Sequence, residues 1–180
     1  MTALARTTCT AIMCATLGIC AALGVDVASA QQTSMGCTSE QRPNATQTLR
    51  CRGDLIIIAE DGAKFTLQSH DRSGDVDAVD LQSKALLVDA PKQKPKHRFQ
   101  VITPQAIAAV RGTRWAVDVA DAKTSVFVAD GRVGVNRRAR GRGVVLGPGE
   151  GVDVEASGPL TVKQWGQPRI DALMARLGQP

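Results

Sequence analysis

The sequence predicts an all-β fold, a roll or solenoid-like stack of about ten short strands with a two-layer β-sandwich as the alternative, closed by one short C-terminal helix. Three observations carry this. Apolar and polar residues alternate from Leu55 to Glu155. Turn-forming residues interrupt that alternation at intervals of about ten residues. Only after Pro168 does the apolar period change to that of a helix.

The elements follow in chain order. The first 30 residues read as a cleavable export signal: Arg6 supplies the positive start, Ala11 to Leu23 form an apolar stretch of 13 residues, and Ala28-Ser29-Ala30 is a small-x-small cleavage pattern. That stretch is too short to span a bilayer as a helix. Three of the five cysteines, Cys9, Cys14 and Cys20, fall within it, leaving Cys37 and Cys51 as an even pair in an exported product. A disulfide between them is expected, and it would close residues 31–50, polar and turn-forming (Gly36, Pro43, Asn44), into an extended arm.

Leu55 to Ile58 is an apolar run, and Asp61-Gly62 separates it from Lys64 to Gln68, in which Phe65 and Leu67 face one way and Lys64, Thr66 and Gln68 the other. The pattern returns at Trp115, Val117 and Val119, again at Thr124 to Ala129, and after Asp130-Gly131 at Val133 and Val135. Val144 to Leu146 and Val152 to Val154 flank Gly147-Pro148-Gly149-Glu150-Gly151. Pro91 to Arg98 is a basic loop that its prolines keep out of any central strand. Ile170, Leu173, Met174 and Leu177 then fall at i, i+3, i+4 and i+7, between Pro168 as helix start and Gly178 as stop, so the stripe is expected to dock on the sheet.

Composition and motifs narrow the function. Aromatic residues are 3% of the chain and tyrosine is absent, which leaves little with which to stack bases or sugars. The formal charge of +5 makes the chain mildly basic. His70 and His97 stand in polar segments without cysteine or carboxylate at ligand spacing, so neither a zinc site nor a Ser-His-Asp arrangement is indicated. Asp71, Asp75, Asp77 and Asp80 lack the register of a calcium loop. Gly141, Gly143 and Gly147 are not followed by the Lys-Ser/Thr of a phosphate loop. No enzyme, cofactor, metal or nucleic-acid partner is expected. The densest charge feature is Arg132, Arg137, Arg138, Arg140 and Arg142, which reads either as a solvated hairpin tip or as a candidate interaction patch for an anionic partner.

From Phe99 to Asp153 the residues become specific. Phe99-Gln-Val-Ile-Thr-Pro104, Ala108-Ala-Val-Arg-Gly-Thr-Arg-Trp115, Thr124-Ser-Val-Phe-Val128, Gly131-Arg-Val-Gly-Val135 and Leu146-Gly-Pro-Gly-Glu-Gly151 resemble the FecR domain, and Gly53-Asp-Leu55 with Asp61 to Phe65 resembles its opening repeat. The resemblance covers roughly residues 51–155, with 156–180 as a tail holding a helix near 168–177. Its motif residues, Arg111, Gly112, Thr113, Trp115, Gly131, Gly149 and Glu150, read as structural.

The resemblance implies a non-enzymatic periplasmic regulatory or adaptor module that binds a protein partner in envelope signalling of the iron-uptake type. In regulators of this family the domain connects through one transmembrane helix to a cytoplasmic segment that controls a sigma factor. Neither is expected here, so sigma-factor control is not implied for this chain. The other reading is a structural binder of anionic envelope polymer or membrane surface through the basic patch and the Lys92 to Arg98 loop, in the periplasm, secreted, or anchored by an uncleaved N-terminus.

Overall fold

The computed structural model describes residues 35–42, 46–70, 74–91, 98–110, 112–139 and 142–180. The export signal and the cleavage residues Ala28 and Ala30 lie outside the described residues, as do Arg111, Arg140 and residues 92–97 of the basic loop.

Thirteen strands form among the described residues, more than the sequence pattern suggests, because several are too short to show a period. They are β1 (Cys37–Gln41), β2 (Gln47–Cys51), β3 (Ile56–Ala59), β4 (Lys64–Gln68), β5 (Ala78–Ala90), β6 (Phe99–Ile102), β7 (Ala106–Val110), β8 (Thr113–Ala120), β9 (Lys123–Asp130), β10 (Val133–Arg137), β11 (Val144–Leu146), β12 (Glu150–Val154) and β13 (Lys163–Gln164). One helix, α1 (Gln167–Arg176), follows. The fold is all-β.

The long strand β5 organises the rest. Its first half pairs with β4 and, in parallel, with β6, while its second half pairs antiparallel with β3 and β8. Lys84, at φ 66°, marks the change of partners, and its ammonium is hydrogen-bonded to the Asp61 carbonyl. One hydrogen-bonded network therefore curls through β5 into two halves. The order β11-β10-β7-β6-β5-β8-β9-β12-β13 runs across both, with β3, β2 and β1 branching from β5. A sandwich of separate sheets would lack this shared strand.

Between the halves lies the main core. Ile57, Leu86, Val88, Trp115, Val117 and Val126 meet Val79, Leu81, Phe99, Val101, Val133 and Leu146 there, all buried. The outer face of the β3-β5-β8-β9 half carries a second cluster, Ile58, Ala85, Leu87, Ala116 and Phe127, against which Leu173 of α1 and Leu177, which caps it, are buried. That half is apolar on both faces, which is why Ala85 to Val88 reads as an unbroken run instead of alternating.

The helix stripe docks as its spacing predicts, and Gly178 ends the helix with φ 65°. Its N–H donates to Ala175 O and that of Gln179 to Met174 O, the paired bonds of a Schellman cap.

Residues 37–51 are not an extended arm. The strands β1 and β2 form a hairpin whose register sets Cys37 opposite Cys51, and β2 continues the sheet by pairing with β3. Inward-facing Cys37, Leu49 and Cys51 alternate with polar residues on strands too short for the period to stand out. The disulfide joins the two cysteines across the hairpin with an S–S distance of 2.03 Å.

Candidate interaction surface

The described motif residues that carry the family resemblance, Gly112, Thr113, Trp115, Gly131, Gly149 and Glu150, are engaged in shaping the chain. Gly112, at φ 71°, leads into β8, where the Thr113 hydroxyl donates to the carbonyl of Arg132 at 3.1 Å. Opposite, Gly131 turns β9 into β10 at φ 88°, and a Cβ there would meet the Gly112 carbonyl oxygen at 2.7 Å and Thr113 Oγ1 at 2.8 Å. The start of β8 and the Asp130-Gly131 turn are thus locked backbone to backbone. Trp115, two residues on, is fully buried.

The second motif cluster closes another turn. The Glu150 carboxylate accepts from the Gly147 N–H at 2.7 Å, while the Glu150 N–H donates to the Gly147 carbonyl. Gly149 donates to Val128 O and accepts from the Trp165 N–H.

Two glycines in the same backbone region differ in what surrounds them. At Gly131→Ala, positive-φ strain and the clash with the Gly112 carbonyl add, with an expected cost of about 2 to 3 kcal/mol. Gly53 has φ 70°, but a Cβ there would meet nothing within 4 Å, so Gly53→Ala meets only the strain. Its expected cost is about 1 kcal/mol. Urea unfolding of the two variants checks the difference.

The described residues of the arginine patch, Arg132, Arg137, Arg138 and Arg142, are spread along and beyond β10. Arg132 precedes β10 and Arg137 ends it, so the length of a five-residue strand, about 16 Å, lies between them. Arg137 donates from Nε to Glu155 O at 3.0 Å and from Nη2 to Gly158 O at 2.6 Å. Arg138 donates to Thr103 O at 3.2 Å. Both therefore tie loops to β10, Arg137 half-buried and Arg138 exposed, while Arg132 and Arg142 are exposed. Next to Arg142, β11 ends the strand order and pairs only with β10 among the described residues, and its Val145 is 66% exposed. An edge of this kind can accept a strand from another chain.

His70 does have a carboxylate neighbour: its Nδ1 lies 2.7 Å from Asp77 Oδ1, and its backbone N–H donates to Asp77 Oδ2. Asp77 is seven residues away, beyond the short spacings at which ligand pairs stand out in a sequence. Among the described residues no three His, Cys, Asp or Glu side chains converge as metal ligands.

A latch that the sequence pattern did not reveal holds α1 on the sheet. Arg176 donates to Asp118 at 2.8 Å and to Glu60 at 2.6 Å, and these hydrogen bonds to the two carboxylates raise the guanidinium above its usual range. Arg169 bonds Asp153 at 2.6 Å and lies 3.5 Å from the centroid of the Trp165 ring, which stacks on Phe127. Trp165 crosses close over Gly151, leaving no room for a side chain there. The signal was present in the spacing: Arg169 and Arg176 are seven apart and so share one helix face.

Partial burial would raise the Asp153 carboxyl, but hydrogen bonds from Arg169 and Ser125, with the charges of Arg169 and Lys123, hold it below its ordinary value. A carboxyl lowered by folding stabilises above its unfolded pKa and loses that contribution as pH falls through the folded value. The melting-temperature gap between wild type and Asp153→Asn is expected to be open near neutral pH and to narrow as pH falls below the ordinary Asp value of about 3.9.

Comparison with known proteins places this architecture. Residues 63–134 match the FecR protein family. Two crystal structures of a candidate anti-sigma factor from Parabacteroides distasonis share the fold, each at 17% identity. One has a TM-score of 0.58 and the match covers 72% of this chain and 60% of that one. The other has a TM-score of 0.59, with 77% and 64% covered. The chain thus spans less than two thirds of the length of these neighbours. No curated protein matches.

Proposed function

We propose that this chain, with a FecR match spanning residues 63–134, is an exported regulatory or adaptor module that binds a protein partner in envelope signalling of the iron-uptake type. The FecR match is the observation that carries the reading, and the fold shared with candidate anti-sigma factors agrees with it. The family is regulatory, not catalytic, which supports a role through contact and not through turnover. The motif residues suit that role, since they rigidify turns and leave the surface free. The disulfide and the three-part N-terminal pattern support export to an oxidising compartment, the periplasm.

Affinity capture from an envelope extract tests this, with wild type beside an Arg132→Ala, Arg142→Ala variant, washed at low and high salt. Retention of one defined protein by both forms at high salt is expected. Retention only of polymer or lipid, lost with salt or with the arginines, contradicts the adaptor reading, because binding by exposed charge is screened at high ionic strength.

A further inference from the structure

Cross-strand register brings Arg50 and Arg114, distant in sequence, to one end of the sheet. On the outer face of the sheet, Arg50 of β2 lies opposite Ile56 of β3, Ile56 opposite Asp89 of β5, and Asp89 opposite Arg114 of β8. Arg42, just beyond β1, joins Arg50 and Arg114 around a cleft of about 170 Å³. Its floor is aliphatic, made by Ile56, Ile58 and Leu87, and Gln179 from the helix end completes the wall.

The charges here are unbalanced. Three guanidiniums face one carboxylate, Asp89, in this lining. Among the described residues neither Arg42 nor Arg50 has a side-chain hydrogen bond or ion pair, and Arg114 reaches only Gln179 Oε1, at 2.9 Å. Ile58 and Leu87 belong to the cluster on which Leu173 and Leu177 pack, and the cleft opens beside it, where Ile56 is half-buried. A guanidinium presents a planar fork of donors that a carboxylate fills in bidentate fashion.

We infer that this cleft binds an extended acidic and apolar segment of a protein partner, seating a Glu or Asp carboxylate between Arg42, Arg50 and Arg114 and an aliphatic side chain on the Ile56-Ile58-Leu87 floor. The inference rests on the protein-binding reading above and gives the partner segment its chemistry. Charge selects the acid, since the lining is cationic in excess. The floor selects the apolar neighbour, because a bare anion would leave half-buried Ile56 wet, Ile58 and Leu87 being already buried. In an extended segment, residues two apart share one face at a spacing of about 6.6 Å, so an acid at one position and Val, Ile or Leu two away meet both features together. Binding edge-on to β11 uses a different surface and is compatible with this one.

The test titrates the full exported protein with the peptide acetyl-Val-Thr-Glu-Thr-Val-amide, the same peptide with Gln for Glu, and inorganic phosphate, reading the methyl resonances of Ile56, Ile58 and Leu87 and the Nε–H of Arg50. The Glu peptide is expected to shift these in a saturable way, and the Gln peptide to bind at least about fivefold more weakly, the loss of a charge-assisted contact. The double variant Arg42→Gln, Arg50→Gln is expected to weaken the Glu peptide to a similar degree at an unchanged melting temperature, since neither guanidinium holds the fold. Equal binding of the Glu and Gln peptides, no saturable shift, or full reproduction of the shifts by phosphate alone overturns the inference, the last marking a small-anion site. Capture from envelope extract separates this from the wider reading. A partner retained equally by wild type and by the double variant removes the cleft and leaves the adaptor role; no partner for either form removes the adaptor role, and the peptide titration still decides the cleft.

Discussion

Replacing Trp115 by Ala is expected to cost about 3 to 5 kcal/mol, the largest loss of any single side chain in this protein. Trp115 is the largest fully buried side chain and sits where β8 faces the opposite half of the roll, among Val88, Val117 and Val128. The strands on either side are hydrogen-bonded through its register partners, Val88 of β5 and Val128 of β9, so the backbone cannot collapse to fill the space. For a domain of this size each kcal/mol shifts the melting temperature by about 2 to 4 °C, so a drop on the order of 10 °C is expected by calorimetry. The indole Nε1 is buried without a hydrogen-bond partner among the described residues. Trp115→Phe removes that unpaired donor while keeping most of the apolar surface, and is expected to lose less than half as much. Equal losses for Ala and Phe would show that the indole N–H matters more than the volume.

The second large effect is expected on removing the disulfide. Cys37 and Cys51 close a loop of sequence separation 14, and Cys37→Ala with Cys51→Ala is expected to cost about 3 kcal/mol on the chain-entropy account. Alanine is the fitting replacement because Cys37 is buried and Cys51 nearly so, and serine would add a buried hydroxyl. The loss reaches beyond the hairpin, since β2 pairs with β3 and β3 with β5. Hydrogen exchange is therefore expected to rise at Leu49, Ile57 and Ile58 in the double variant. Exchange that rises only in β1 would mean the hairpin is dispensable to the sheet.

Much of the fold was legible because two periods dominate the chain. The period of two at Phe65 to Leu67 and at Trp115 to Val119 marks β4 and β8, and the stripe Ile170, Leu173, Met174 and Leu177 marks α1 and the face it buries. What escaped was non-local or too short. In β1 and β2 five-residue strands carry alternation that polar composition disguises, so only the Cys37–Cys51 bond signalled order there. The parallel pairing of β5 with β6 joins segments that sequence neighbours cannot suggest.

The surface was less legible than the core for the same reason. Density along the chain singles out Arg132 to Arg142, yet Arg137 and Arg138 are taken up by backbone carbonyls. Arg50 and Arg114 are far apart in sequence and meet because β2, β3, β5 and β8 pair in one register, with Arg42 joining them from beyond β1. Charge that gathers across strands leaves no run for a sequence to display.

The most direct test of the account is photo-cross-linking in cells, with a benzophenone amino acid placed at Val145 on the sheet edge and, separately, at Arg50 on the cleft rim. A regulatory module that works by contact is expected to give one discrete protein adduct in the envelope from at least one position, formed equally when cells are irradiated in high-salt medium. Adducts with lipid or polymer alone, or none from either position, would contradict the claim that this protein acts through a protein partner.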